Sequence, residues 1–206
     1  MKKIISLLVG VILLLSFGGC EGTSQAETQN ADSTSQIHTN VTENTEVAVI
    51  HVRDYGTITV ALDRNAAPAT VENFVSLVND GFYNGLTFHR IISGFMIQGG
   101  DPNITGSGRS AKPIKGEFSQ NGFENPIRHV RGTISMARTP DPNSASSQFF
   151  IMHQDAPHLD GAYAGFGHVI SGMEVVDAIC AETPVFDGNG GVEFENQPII
   201  TSIEMK

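Results

Sequence analysis

Tryptophan is absent from this 206-residue chain, so any aromatic surface has to be built from its 12 Phe and 3 Tyr. Cysteine occurs only twice, too seldom for a Cys-rich zinc cluster or a disulfide-stapled small fold. Positive charge is scarce as well. Twelve Lys+Arg against 22 Asp+Glu give a formal charge of −10, which argues against a phosphate-backbone binder and predicts no nucleic-acid partner. Long apolar runs are missing too: the longest largely apolar stretch, Ile4–Phe17, has 14 residues, short of the roughly 20 that span a bilayer as a helix. Chemical motifs are equally sparse. There is no G-x-S-x-G, Walker A, H-E-x-x-H or C-x-x-C pattern. Seven His show no ligand spacing beside a carboxylate, and His153 and His158 are separated by Pro157. No metal and no cofactor are expected. Gly99-Gly100 and Gly106–Gly108 follow a strand-like run without opening a helix, which removes the dinucleotide fingerprint.

What is present begins with an address. Lys2 and Lys3 precede the Ile4–Phe17 run, and Gly18, Gly19 and Cys20 follow it. Residues 1–20 therefore read as an export signal. Two versions are open, an ordinary secretory signal cut at small residues and a bacterial lipoprotein signal, and the segment resembles the second, with Cys20 as the lipidated residue. Residues 21–46 are rich in Ser, Thr, Asn and Gln, carry Glu21, Glu27, Asp32, Glu43 and Glu46, and lack Lys and Arg. With little to bury, this stretch is expected to be a disordered tether, reaching roughly 25–30 Å as flexible coil. The expectation is an extracytoplasmic protein held at a bacterial membrane through acylated Cys20. Cys180, near Val175, Val176 and Ile179, reads as a buried helix residue.

Residues 47–206 are left as one domain of ordinary size. Val47–Val52 and Thr57–Leu62 read as a hairpin across Arg53–Gly56. Pro68 suits a first helical turn, Val71, Phe74, Val75 and Val78 fall on one helical face, and Gly81 ends the helix. Leu86–Ile92, Phe95–Gln98, Thr133–Ala137, Gln148–Met152, Phe166–Ile170 and Ile199–Met205 are strand candidates, and Met173–Ala181 is a second helix. Many short strands and two helices predict a mainly β barrel or sandwich with helices over its ends. The irregular stretches Gly99–Gln120, Asn121–Arg131 and Gln154–Gly165 are long enough to line a site.

Strand alternation then sorts side chains by face. Arg90 lies with Phe88 and Ile92, Met96 with Gln98, Ser135 with Ala137, and Gln148 with Phe150. An arginine between apolar neighbours is either a paired structural charge or a group aimed into a groove. By pattern alone these faces offer amides, an arginine and large apolar groups, but no nucleophile.

The residues themselves go further. Phe88-His-Arg-Ile-Ile-Ser-Gly-Phe-Met-Ile-Gln-Gly-Gly-Asp101 closely resembles the signature segment of the cyclophilins, which are peptidyl-prolyl cis–trans isomerases. Gly132–Ala137, Asn143–Ile151 and His158-Leu-Asp-Gly161 followed by Phe166-Gly167 resemble later segments in the family's order. The resemblance implies a closed eight-stranded antiparallel barrel capped by two α-helices, acting on proline-containing peptides. Behind the signal and tether, the expected clients are exported or unfolded proteins, and with no clear oligomer signal in the sequence a monomer is the default. It assigns Arg90 as the catalytic arginine. Phe95, Met96, Phe150 and Leu159 match the proline pocket, Gln98 and Gln148 the polar groups beside Arg90, and Ala137 and Arg138 the main chain that meets the peptide. His158 stands where many relatives have Trp, and Tyr163 where they have a pocket His. The missing indole implies weakened binding of the drug cyclosporin. The rival function class is a non-catalytic binder of Pro-containing peptides, which needs the pocket without acceleration; a holdase activity, which would not need Arg90, ranks as an added role rather than a replacement.

Overall fold

Apolar alternation along residues 46–62 closes the first hairpin. In the computed structural model, which describes residues 46–103 and 112–206, β1 (Glu46–Val52) and β2 (Gly56–Leu62) pair antiparallel from Glu46↔Leu62 to Val52↔Gly56. Ala48, Ile50, Val52, Ile58, Val60 and Leu62 all point into the core. Asp54 holds the turn at φ 66, a left-handed conformation that Asp tolerates better than most residues. The signal reading, Cys20, the tether reading up to residue 45, and the glycines at 106 and 108 lie outside the described residues, while Glu46, counted with the tether, begins β1.

Helix α1 (Pro68–Asn79) buries Val71, Phe74 and Val78, and Gly81 follows at φ 67. Its N-terminus has no local side-chain cap. Instead Glu117, only 3 % exposed, reaches in from a distant segment. Its carboxylate accepts Ala69 N–H (3.0 Å), Thr70 N–H (2.8 Å) and the Thr70 hydroxyl (2.7 Å). A negative group on otherwise orphaned first-turn donors satisfies them and complements the helix dipole. Glu117→Ala is therefore expected to cost about 2–3 kcal/mol, read as a lower urea midpoint with an unchanged m-value. A midpoint identical to wild type would remove Glu117 as the cap.

The remaining elements are β3 (Phe88–Ile92), β4 (Met96–Gly99), β5 (Thr133–Met136), β6 (Phe149–Met152), β7 (Gly165–Ser171), α2 (Met173–Glu182) and β8 (Ile200–Met205), with single 3₁₀ turns at Ser119–Asn121, Pro157–Leu159 and Phe194–Asn196. The eight strands form one antiparallel sheet in the order β3-β4-β6-β5-β7-β2-β1-β8. The expectation of a closed barrel is corrected here: the sheet is a curled half-barrel whose edges, β3 and β8, share no continuous ladder. A single bridge, Thr87↔Ile199, joins the seam, with Phe88 N–H on Pro198 O (2.9 Å) and a Thr87–Gln197 side-chain hydrogen bond nearby. The reason is chemical and local. Pro198 has no N–H to continue a ladder, and the outer edge of β3 is already taken by residues 190–192. Ile91 N–H donates to Gly190 O (2.8 Å) and Val192 N–H to His89 O (3.1 Å).

Alternation divides the packing into two layers, except in β3: a register shift between Phe88 and Arg90 turns Phe88 into the main core, away from the Arg90 face on which alternation sets it. Phe149 and Ile151 join Phe74, Tyr83, Phe88 and Phe166 in the main core, where Phe74 meets Tyr83 at 5.3 Å and Phe166 at 5.2 Å between centroids. Phe150 and Met152 turn to the opposite face and form a second cluster with Met96, Ala156 and Leu159. That smaller cluster carries the site.

Candidate active site

Antiparallel register sets four side chains in one row across the sheet. Arg90 pairs with Gln98, Gln98 with Phe150, and Phe150 with Ser135. The next row brings Ile92, Met96 and Met152 together. An arginine thus borders an apolar patch on the face that the main core leaves free. Met96 and Phe150 are 1 % and 5 % exposed and Leu159 8 %, while Phe95, Ala137 and Tyr163 pack against them half-buried.

Arg90 is held by neutral oxygens. Its Nε donates to Asn189 O (2.8 Å) and its Nη1 to Gln98 Oε1 (3.2 Å), and Gln98 Nε2 donates in turn to Gln148 Oε1 (2.9 Å). No carboxylate among the described residues forms an ion pair with this guanidinium, so its charge is oriented without being cancelled. Among the described residues, then, the group is not a paired structural charge.

Two loops wall the patch. The Phe95 ring stacks on His158 at 5.8 Å and 25°, so an imidazole lies against the pocket edge. Tyr163 meets the Phe150 ring edge-on at 5.7 Å and 86°. Arg138 lies over both Tyr163 (4.6 Å) and Phe118 (5.0 Å) and gives its N–H groups to Ala162 O and Thr139 O. Its side chain is thereby a clamp on the Tyr163 loop, combining cation–π contact with carbonyl capture. Ala137 N–H is engaged within the sheet, on Gln148 O (2.9 Å).

Beneath Phe150 lies a buried polar chain. His129 stacks on the Phe150 ring at 6.0 Å and 20°, with Nδ1 3.1 Å from Asp160 Oδ1 and Nε2 3.0 Å from the Ser135 hydroxyl. A carboxylate can only accept, so Nδ1–H donates to Asp160 and Nε2 accepts from Ser135. Burial lowers the His129 pKa, outweighing the opposing pull of Asp160. Asp160 has its own pKa lowered: burial works against this, but the His129 main-chain and side-chain donors prevail. The Ser–His–Asp order resembles a hydrolytic triad, yet Ser135 is 0 % exposed. A nucleophile must reach its substrate, and this one cannot. The chain is a support for the pocket floor.

The ten residues chosen from the sequence for the isomerase site are all described, and all sit on or beside this face; Cys20, chosen for lipidation, is not among the described residues. Arg90, Gln98 and Gln148 form the polar chain, Phe95, Met96, Phe150, Leu159 and Tyr163 the apolar patch, and Ala137 and Arg138 its border. Sequence reasoning missed the Asn189 carbonyl, His129 and Asp160. A main-chain oxygen leaves no signal in the sequence, and His129 falls in a stretch without periodicity. No group of three or more His, Cys, Asp or Glu among the described residues is placed to hold a metal ion, and no described helix is long and apolar enough to cross a membrane.

Comparison with known proteins matches this geometry to one family. The family model described as "Cyclophilin type peptidyl-prolyl cis-trans isomerase/CLD" matches residues 47–204. A "Peptidyl-prolyl cis-trans isomerase A" of Dickeya dadantii is 46 % identical over 141 residues, covering 66 % of this chain and 72 % of that protein. A "Probable peptidyl-prolyl cis-trans isomerase" of Brucella suis is 35 % identical over 211 residues, covering 97 % and 95 %. Among solved structures, a Cryptosporidium parvum cyclophilin-type isomerase crystallised in the presence of the dipeptide Ala-Pro superposes with a TM-score of 0.69 at 31 % identity, covering 78 % of this chain and 98 % of that one. The half-barrel with its arginine beside an apolar patch thus belongs to a cyclophilin, and the chain is a member of the cyclophilin-type peptidyl-prolyl cis–trans isomerases.

Proposed function

We propose that Arg90 and the Phe95–Met96–Phe150–Leu159–Tyr163 patch accelerate X-Pro rotation in exported proteins as they fold outside the cytoplasm. Rotation meets a barrier of about 20 kcal/mol because amide resonance is lost at the twisted geometry. No covalent step is needed. The twisted amide nitrogen regains its lone pair and accepts a hydrogen bond, which the planar amide cannot do as well. A guanidinium donor aimed there stabilises the transition state more than the ground state. Gln98 and the Asn189 carbonyl fix the direction of the Arg90 guanidinium. The patch holds the proline ring while the preceding carbonyl swings, so that binding supplies orientation. Gln148, through Gln98, and the main chain around Ala137 and Arg138 then position the peptide.

The observation that carries this reading is the un-neutralised guanidinium abreast of Phe150. The related C. parvum structure obtained with Ala-Pro supports a proline-containing ligand. Exchange NMR of a short X-Pro peptide with the full chain tests it: acceleration that depends on Arg90 is expected. Tight binding without acceleration would favour a peptide-binding module instead.

The exported setting rests on the sequence of residues 1–46, and Cys20 as the lipid-bearing residue is part of the proposal. Expressed in a bacterium fed a labelled fatty acid, the chain should fractionate with membranes and carry label, and Cys20→Ser should lose both. Label retained by Cys20→Ser would overturn the anchoring site. Two or more acyl chains would make the attachment stable, since one gives only marginal binding.

A further inference from the structure

The loop that holds Arg90 also exposes large apolar side chains to water. Phe186 is 62 % exposed, Phe194 66 % and Val185 47 %, and Ile170 at 39 % is the only other large hydrophobic in that class among the described residues. Single exposed hydrophobics are ordinary, whereas a cluster marks a contact surface. Three of these four fall within ten residues of one loop.

The loop is ordered rather than loosely attached. Asp187 Oδ1 accepts Asn189 N–H (3.0 Å) and Gly191 N–H (2.8 Å), and Phe186 N–H donates to Gly191 O (2.9 Å). Gly190, at φ 83, lies so close to β3 that a side chain would run into the Ile91 carbonyl. Gly191 forms an isolated antiparallel bridge with Arg90, and the Phe186 ring lies against Gly191. The exposed Phe186 ring is therefore separated from the β3 main chain at Arg90 by one strand-like segment.

Charge selects the occupant. Asp187, Glu193 and Glu195 lie on this loop, and no Lys or Arg occurs between Glu182 and Lys206. An anionic lipid surface would be repelled, and a second copy meeting the same patch across a two-fold axis would set like charges together. A polypeptide carrying apolar and basic residues fits both features. We propose that Phe186 and Phe194, with Glu193 and Glu195, dock a basic, apolar stretch of the client chain that flanks its proline. This rests on the proposed isomerase site, because it is continuity with Arg90 that makes the flanking stretch of a bound client the occupant.

The test uses the full chain and three peptides with one X-Pro core: the bare core, the core flanked by Lys and Leu, and the core flanked by Glu and Leu. The Lys/Leu peptide should show a kcat/KM about tenfold above the Glu/Leu peptide, equivalent to about 1.4 kcal/mol, through KM and shrinking with added salt. Phe186→Ser/Phe194→Ser and, separately, Glu193→Lys/Glu195→Lys should abolish that preference while the bare core is turned over at the wild-type rate. Equal treatment of the two flanked peptides by wild type overturns the docking surface, as does a preference that survives both double variants. Binding to anionic vesicles that is lost in Phe186→Ser/Phe194→Ser, without any peptide preference, would overturn it in favour of a membrane surface. If a variant disturbs the loop, the wild-type comparison still decides. Loss of turnover on the bare core by wild type would strike the isomerase site instead, so the two failures are distinguishable.

Discussion

Replacing Arg90 by Ala is expected to lower kcat for X-Pro isomerisation on the order of a hundredfold or more, with KM and the fold little changed. The size follows from what a preorganised donor contributes when it acts chiefly in the transition state. The split between kcat and KM follows from geometry. In the proposed complex the proline ring packs on Phe150, Met96 and Leu159, and none of these contacts would pass through the guanidinium. The fold should survive because the partners of Arg90 are an amide oxygen of Gln98 and the Asn189 carbonyl, neutral groups at a half-buried position that water can satisfy. Arg90→Lys should recover only part of the loss. A single ammonium cannot reach both oxygens in the fork geometry that aims the guanidinium. Exchange NMR at several peptide concentrations reads kcat and KM separately, and circular dichroism checks the fold. A kcat within threefold of wild type in a folded Arg90→Ala chain would remove Arg90 as the main catalytic group.

Why so much of this site could be read from the sequence, and why some could not, comes down to range. Strand period is local, so alternation alone sets Phe149 and Phe150 on opposite faces, and the two packing layers follow in β6. Arg90, Gln98 and Phe150 fall into one row because short antiparallel strands leave few registers. The helix at Pro68–Asn79 was equally legible from Val71, Phe74 and Val78. Closure of the sheet was not. It depends on residues 190–192 occupying the edge of β3 and on Pro198 interrupting the seam, both set by loop geometry about 100 residues from Arg90. The Glu117 cap has the same character, acting 47 residues from Thr70. His129 shows the other limit. Its role comes from stacking under Phe150 and bonding to Asp160 and Ser135, none of which leaves a periodic trace in the sequence. The signature segments mark the row of the proposed site, whereas the polar support beneath it is set by tertiary packing.

That support makes the fold sensitive to mild acid. His89, His129 and His168 all have pKa values lowered by burial, which disfavours the charged imidazolium. At His89 burial outweighs the opposing charge of Asp101, and Nδ1 has no hydrogen-bond partner among the described residues. In the unfolded chain each imidazole titrates near 6.5. As pH falls through about 6.5 the unfolded state takes up protons that the folded state still refuses. Each such proton lowers stability by about 1.4 kcal/mol per pH unit until the folded state protonates too. Stability is thus full above about pH 7 and drops progressively below 6.5. Asp160 and Asp177 add a second loss at lower pH. Asp160 is lowered by its His129 donors against the effect of burial, and Asp177 first by its Arg131 hydrogen bond. Both contribute stability above the ordinary carboxylate pKa near 3.8 that disappears as pH falls through their lowered values. Thermal unfolding from pH 8 to 3.5 should therefore show a flat Tm above 7, a decline beginning near 6.5, and a further fall below about 4. His129→Gln keeps a donor and an acceptor for Asp160 and Ser135 but cannot titrate, so it should flatten the first decline by one proton's worth even if its Tm at pH 8 is lower. A Tm constant between pH 7.5 and 5 would mean that these imidazoles are not kept neutral by the fold, and a slope unchanged in His129→Gln would remove His129 from the acid response.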